Sequence, residues 1–171
     1  MASRDRPKTL LAASLILVAA ALTLIAAWTL QSLGFQPCEL CLKERYAFYA
    51  ALPVAAAAIF LARNAPPAAA RTALALLALI FAANAALAFY HAGVEWKLWA
   101  GPTDCTGDFV KPATMEDFRR QLQTVKVVRC DEPALKILGL SLAFWNFLVS
   151  SALGAVAALR AFSSEVDASS R

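Results

Sequence analysis

Four long apolar runs divide the chain, over residues 10–30, 46–62, 72–90 and 137–159, and none of them contains a Lys, Arg, Asp or Glu. Each falls within the roughly 17–25 residues that a helix needs to cross the hydrocarbon core of a bilayer. The pattern predicts an all-α membrane protein, a four-helix transmembrane bundle over residues 1–171 as a single domain. The first run is longer than the apolar core of about 7–15 residues found in a cleaved leader, so it reads as a span. Pro53 should kink the second span, which neighbouring helices tolerate in a bundle. The connections are unequal. Residues 31–45 and 91–136 form two loops on one side, whereas Arg63-Asn64-Ala65-Pro66-Pro67 is a tight turn, since paired prolines end a helix. The tail from Ser163 reads as disordered.

The long third loop carries a pattern of its own. Thr114 followed by Asp117 resembles a helix N-terminal capping pair, with Asp in place of the usual Glu or Gln. Met115, Phe118, Leu122 and Val125 then recur at helical spacing, which predicts a short amphipathic helix. Such a helix either lies in the membrane interface or packs on the outer end of the bundle.

Composition agrees with the membrane class. The chain is 60% hydrophobic and 16% charged, with mean hydropathy +0.59, against about 45–50% apolar in an ordinary soluble domain. The net charge of +4 is not a nucleic-acid signal. With four spans, Arg4, Arg6, Lys8, Arg63, Arg71, Arg160 and Arg171 share one side with only Asp5, Glu165 and Asp167, so the whole excess lies there. No basic stripe remains to follow a phosphate backbone.

Arg4, Arg6 and Lys8 before the first span favour a cytoplasmic amino terminus, because the first helix usually dominates orientation. Lys and Arg summed over all loops point weakly the other way, with nine on the opposite side against seven. The cysteines decide. An even number of spans puts Cys38, Cys41, Cys105 and Cys130 in one compartment, and disulfides persist in oxidising ones such as the periplasm. The expected topology is multi-pass, with both termini cytoplasmic and the cysteine loops periplasmic.

Cys38 and Cys41 form a C-x-x-C within CELC. That motif lowers thiol pKa and places a reversible disulfide within reach. Pro37 and the nearby second span put it at a helix amino terminus, where exposed N–H groups and the helix dipole favour a thiolate. Arg45, four residues after Cys41, shares its helix face. The guanidinium either stabilises the thiolate and a ring substrate at the membrane edge or snorkels to the headgroups.

Other uses of C-x-x-C fit less well. Haem attachment needs His where Leu42 stands, and a thioredoxin-type site needs a βαβ context. A four-cysteine zinc site normally pairs two close C-x-x-C units, so no metal is expected. A pair of static structural disulfides stays open on spacing alone. His91 and Glu95, at the end of the third span, are candidates to hydrogen-bond a cofactor or to serve as interfacial polar residues. Trp96 and Trp99 suit an aromatic belt, and Asn84 and Asn146 suit inter-helix hydrogen bonds.

Nearly the whole chain, through CELCLKER, YHAGVEWKLWAGPTDC (90–105) and CDEPALKILGLSLAFWN (130–146), resembles the disulfide bond formation protein B (DsbB) family of bacterial inner-membrane oxidoreductases. The resemblance implies catalytic disulfides Cys38–Cys41 and Cys105–Cys130. A periplasmic DsbA-like thioredoxin-fold protein would be oxidised at Cys105, Cys130 would exchange with the first pair, and Cys41 would lie nearest a ubiquinone or menaquinone. Arg45 occupies the position of the family's quinone-site arginine. A quinone reductase resembling the vitamin K epoxide reductase family is the alternative, but there the C-x-x-C lies late in the chain.

Overall fold

The structure, a computed structural model, describes residues 2–102, 113–124 and 128–169. Helices α1 (Ala2–Ser32), α2 (Glu39–Asn64), α3 (Pro67–Glu95) and α5 (Leu142–Ser169) form the bundle. Between α3 and α5 lie α4 (Met115–Thr124) and the strands β1 (Lys136–Ile137) and β2 (Leu140–Ser141). Segments Arg6–Ser32, Glu39–Asn64, Pro67–Glu95 and Leu142–Ser163 are each long and apolar enough to cross a membrane. The predicted bundle is present. Its helices outrun the apolar runs at several ends because polar residues such as Glu39–Arg45 continue the helical hydrogen bonding beyond the apolar stretch.

One face of each helix is buried. On α2 the buried residues Leu40, Glu44, Phe48, Ala51, Ala55, Ala58 and Ala62 recur every three or four positions, the repeat of a single helical stripe. On α1, Ala13, Ile16, Ala20 and Leu24 do the same, while Leu11, Leu15, Val18 and Leu22 stay exposed on the face left for lipid. Alanine dominates the seams, which lets backbones approach closely where lipid removes the hydrophobic drive for association. Phe48 and Phe81 fill the centre edge to face, their rings 5.6 Å apart. Helix α3 packs most extensively on α5 and then on α2, while α1 rests chiefly on α2. Pro67 at the first position of α3 needs no N–H there, so α2 turns into α3 within two residues.

The expected inter-helix amides are in place. Asn84 on α3 donates to Ser150 on α5 at 2.9 Å, and Asn146 donates to Glu44 on α2 at 2.6 Å. These bonds tie three helices together near the cysteine end.

Two sequence expectations change. The fourth span does not begin at Ile137. Lys136–Ile137 and Leu140–Ser141 pair antiparallel, and Leu138 and Gly139 both take positive φ, 54° and 83°. That is the backbone of a tight two-residue hairpin turn, and apolar character alone does not separate a short strand from a helix start. The tail from Ser163, expected as disordered, continues as helix to Ser169. Helix α4 forms where expected. Thr114 Oγ1 accepts from Asp117 N at 3.2 Å, the N-cap bond, and donates to the Asp117 carboxylate at 2.8 Å, a side-chain bond in place of the reciprocal one to the Thr114 N–H. Val125 of its predicted apolar stripe lies outside the described residues.

After α3 the chain folds back on itself. Trp99 donates to the Tyr90 carbonyl at 2.7 Å and stacks on the Tyr90 ring. Its indole covers Gly93 so closely that a Cβ there would lie 2.0 Å from Trp99 Cζ2. Lys97, at φ 60°, then reaches Asp131 and its backbone carbonyl. The segment carrying Cys130 is thereby fastened to the end of α3.

Candidate functional site

Cys38 is the N-cap of α2, and its Sγ accepts from Cys41 N at 3.4 Å. The expected location at a helix amino terminus holds. The two Sγ atoms lie 3.0 Å apart, close enough to join as a disulfide. Cys38 is buried and Cys41 half-buried.

The electrostatics at Cys38 run opposite to the sequence expectation of a stabilised thiolate. Its contact with the Cys41 thiol and its burial push the Cys38 thiol up to about 12, and the neighbouring His91 only partly opposes them. Burial disfavours the charged form more strongly than one helix end favours it.

His91 reaches this pair from α3. Its Nε2 lies 3.5 Å from Cys38 Sγ, and its Nδ1 lies 2.8 Å from Glu44 Oε1. Glu95 stands behind, 4.0 Å from His91 Nε2, and its Oε2 has no hydrogen-bond partner among the described residues. His91 and Glu44 are only 2% and 5% exposed. The sequence reading offered His91 and Glu95 as cofactor contacts or as interfacial polar residues; the structure packs His91 between Cys38 and Glu44, with the Glu95 side chain beside it.

The cavity itself has a volume of about 280 Å³ between α1, α2 and α5, with Cys41, Glu44, Arg45, Phe48, Trp145 and Asn146 among its lining residues. Arg45 is held by α1. Its Nη1 donates to Gln31 Oε1 at 2.7 Å and its Nη2 to the Ala27 carbonyl at 3.4 Å, which pins the guanidinium against the end of α1 at the cavity edge. Glu44 was missed as a site residue. Its only sequence signal is spacing, since positions three and four after Cys41 share its helix face. The Glu44 carboxylate, the Arg45 guanidinium and the Gln36 and Asn146 amides thus share one cavity with the Cys41 sulfur, among mostly apolar lining residues.

Cys130 is buried in the same small cluster as Cys38, with Leu40 and Val94. Burial foremost, with smaller contributions from Cys38, pushes its thiol up to about 11. Beside it, hydrogen bonds from Arg129 and then Lys97 hold the Asp131 carboxyl well below the usual carboxylate range. Cys105 lies outside the described residues, as does its expected pairing with Cys130.

The sequence profile of the family described as disulfide bond formation protein DsbB matches residues 8–160. Neither the curated proteins nor the solved structures give a match.

Proposed function

We propose that this chain, which belongs to the DsbB family of bacterial thiol:quinone oxidoreductases, reoxidises a periplasmic DsbA-like thioredoxin-fold protein and passes the electrons to a membrane quinone, ubiquinone or menaquinone. The observation that carries this reading is the joint position of Cys41 and Arg45 on one cavity, with Cys130 packed against Cys38 behind it. A multi-pass bundle with its thiols at one end supports an inner-membrane site with the cysteine loops on the periplasmic side.

The steps balance as thiol–disulfide exchange. A partner thiolate attacks Cys105 of a Cys105–Cys130 disulfide, a mixed disulfide forms and Cys130 leaves as the thiolate. The partner's second thiol then releases Cys105 and becomes oxidised. Cys105 and Cys130 are regenerated as a disulfide by exchange with Cys38–Cys41, for which Cys130 already sits beside Cys38. That exchange leaves Cys38 and Cys41 as a dithiol.

A bound quinone supplies the acceptor for two electrons and two protons. Cys41, on the cavity wall, is the sulfur that meets it. Arg45, fixed by Gln31 and Ala27, presents a permanent positive charge to a carbonyl or anionic oxygen. Phe48 and Trp145 exclude water around the ring. DsbA is a strong oxidant at about −120 mV, and glutathione is too reducing to restore it, so a quinone is an energetically suitable final acceptor.

The test is anaerobic quinone consumption by the purified protein, given a reduced thioredoxin-fold partner. Quinol formation matched to partner oxidation is expected. A protein that exchanges disulfides with the partner and leaves quinone untouched would overturn the reading.

A further inference from the structure

Cys38, Cys41 and His91 converge from two helices, and we propose that in the reduced protein they bind a thiophilic divalent cation of the zinc class. Their three ligand atoms all lie within 4.8 Å of one another. Two thiolates and an imidazole are the donors that such cations select. The sequence expectation of no metal weighed cysteines alone and did not bring α3 to the CELC pair.

The distances fit. Tetrahedral zinc, at about 2.3 Å to sulfur and about 2.0–2.1 Å to nitrogen, sets S···N near roughly 3.6 Å and S···S near roughly 3.8 Å. Cys38 Sγ and His91 Nε2 are already 3.5 Å apart. The two sulfurs, at 3.0 Å, must separate, and Cys41 is half-buried on the wall of a cavity.

The surroundings point the same way. Glu44 Oε1 lies 2.8 Å from His91 Nδ1, and a neutral His91 that donates Nδ1–H to it turns its Nε2 lone pair to Cys38 Sγ. Asn146 holds the other carboxylate oxygen at 2.6 Å. A carboxylate behind an imidazole is the arrangement that orients metal-bound histidines and raises their basicity. Cys130, in the same buried cluster as Cys38, supplies further sulfur next to the site.

Binding changes no oxidation state. Two metal–sulfur bonds and one metal–nitrogen bond form, and the two thiol protons go to water. The Cys38–Cys41 disulfide has no thiolate to offer, so the site exists only in the reduced protein. A cation held there keeps both sulfurs from forming their disulfide and acts as a reversible brake on reoxidation. The site requires only reduced thiols and does not depend on the quinone reading.

Cobalt(II) is the probe, added anaerobically to the reduced full-length protein in detergent after removal of the reductant. One equivalent should bind, with sulfur-to-cobalt charge transfer in the near ultraviolet and the visible bands of a tetrahedral ion. Zinc(II) should displace it. Oxidation of the CELC pair beforehand should abolish the signal, as should Cys41→Ser. Glu44→Gln should weaken binding by about 10–100-fold, and His91→Gln by at least as much. Thermal unfolding of each variant separates lost binding from lost fold, and Cys41→Ser alters only a half-buried side chain. Equal cobalt spectra from oxidised and reduced protein, or wild-type affinity in Cys41→Ser, would overturn the proposal. So would a folded, fully reduced wild-type protein that takes up no cobalt.

Discussion

His91 on α3 and Glu44 on α2 meet in the interior of the bundle, Nδ1 to Oε1, at 2.8 Å. The contact joins the two sides of the site. His91 turns its other nitrogen to Cys38, and Glu44 stands on the cavity wall with Cys41 and Arg45. Both residues are nearly inaccessible, so neither can exchange its partner for water.

Glu44→Ala removes the partner of the buried His91 and of the half-buried Asn146 amide. An unsatisfied buried donor costs about 1–3 kcal/mol, so this variant should unfold at a clearly lower temperature than wild type. Glu44→Gln should lose less. Thermal unfolding in detergent measures both, and equal stability of Glu44→Ala and wild type would contradict the network.

Cys38→Ser and Cys41→Ser should each reduce quinone turnover by at least about 100-fold, because the pair acts as one unit and its members are not additive. The double variant should be no worse than either single one. Stopped-flow quinone absorbance tests this, and normal turnover in either single variant would sink the assigned path.

Arg45→Ala should raise the quinone KM by about 10-fold or more while disulfide exchange with the partner stays intact. Arg45→Lys should recover little, since an ammonium lacks the planar fork that spans Gln31, Ala27 and the cavity together. Steady-state kinetics with quinone varied at fixed partner, then the reverse, separate the two effects.

Gly93→Ala should displace Trp99, because the new methyl carbon would lie 2.0 Å from Cζ2 of the indole. Lower stability and changed tryptophan emission are expected. Trp99→Ala should relieve most of the added cost, and the double-mutant cycle reads their coupling. Additive losses would mean that the two residues do not touch.

Reduced protein should lose stability in alkali. The Cys38 and Cys130 thiols are raised from the ordinary 9.0 to about 12 and about 11. The folded state therefore keeps protons that the unfolded chain releases. Their contribution is complete below pH 9 and is lost as pH rises toward 11–12. Unfolding of reduced wild type against reduced Cys130→Ser across pH 8–11 measures it, and the variant should show the shallower decline.

The four spans, the tight Pro66-Pro67 turn, the Thr114 cap and the location of CELC at a helix start were all legible in the chain. Each depends on residues near one another in sequence: an apolar run long enough for a bilayer, a ring that lacks an N–H, a hydroxyl three residues before its acceptor. Arg45 was legible for the same reason, through its helix face shared with Cys41.

What lay beyond such local rules came from packing. Glu44 counted as one charge among many until α3 brought His91 against it. His91 and Glu95 were legible only as polar residues at the end of the third span, and packing set His91 between Cys38 and Glu44. The Leu138–Gly139 turn interrupted an apolar run that composition could not divide. At Cys38, expected as an activated thiolate, contact with the Cys41 thiol and then burial push the thiol up to about 12. Spacing along the chain specifies which elements form and which residues they carry. The rotation and contact of those elements set the dielectric, the partners and the distances on which the chemistry depends.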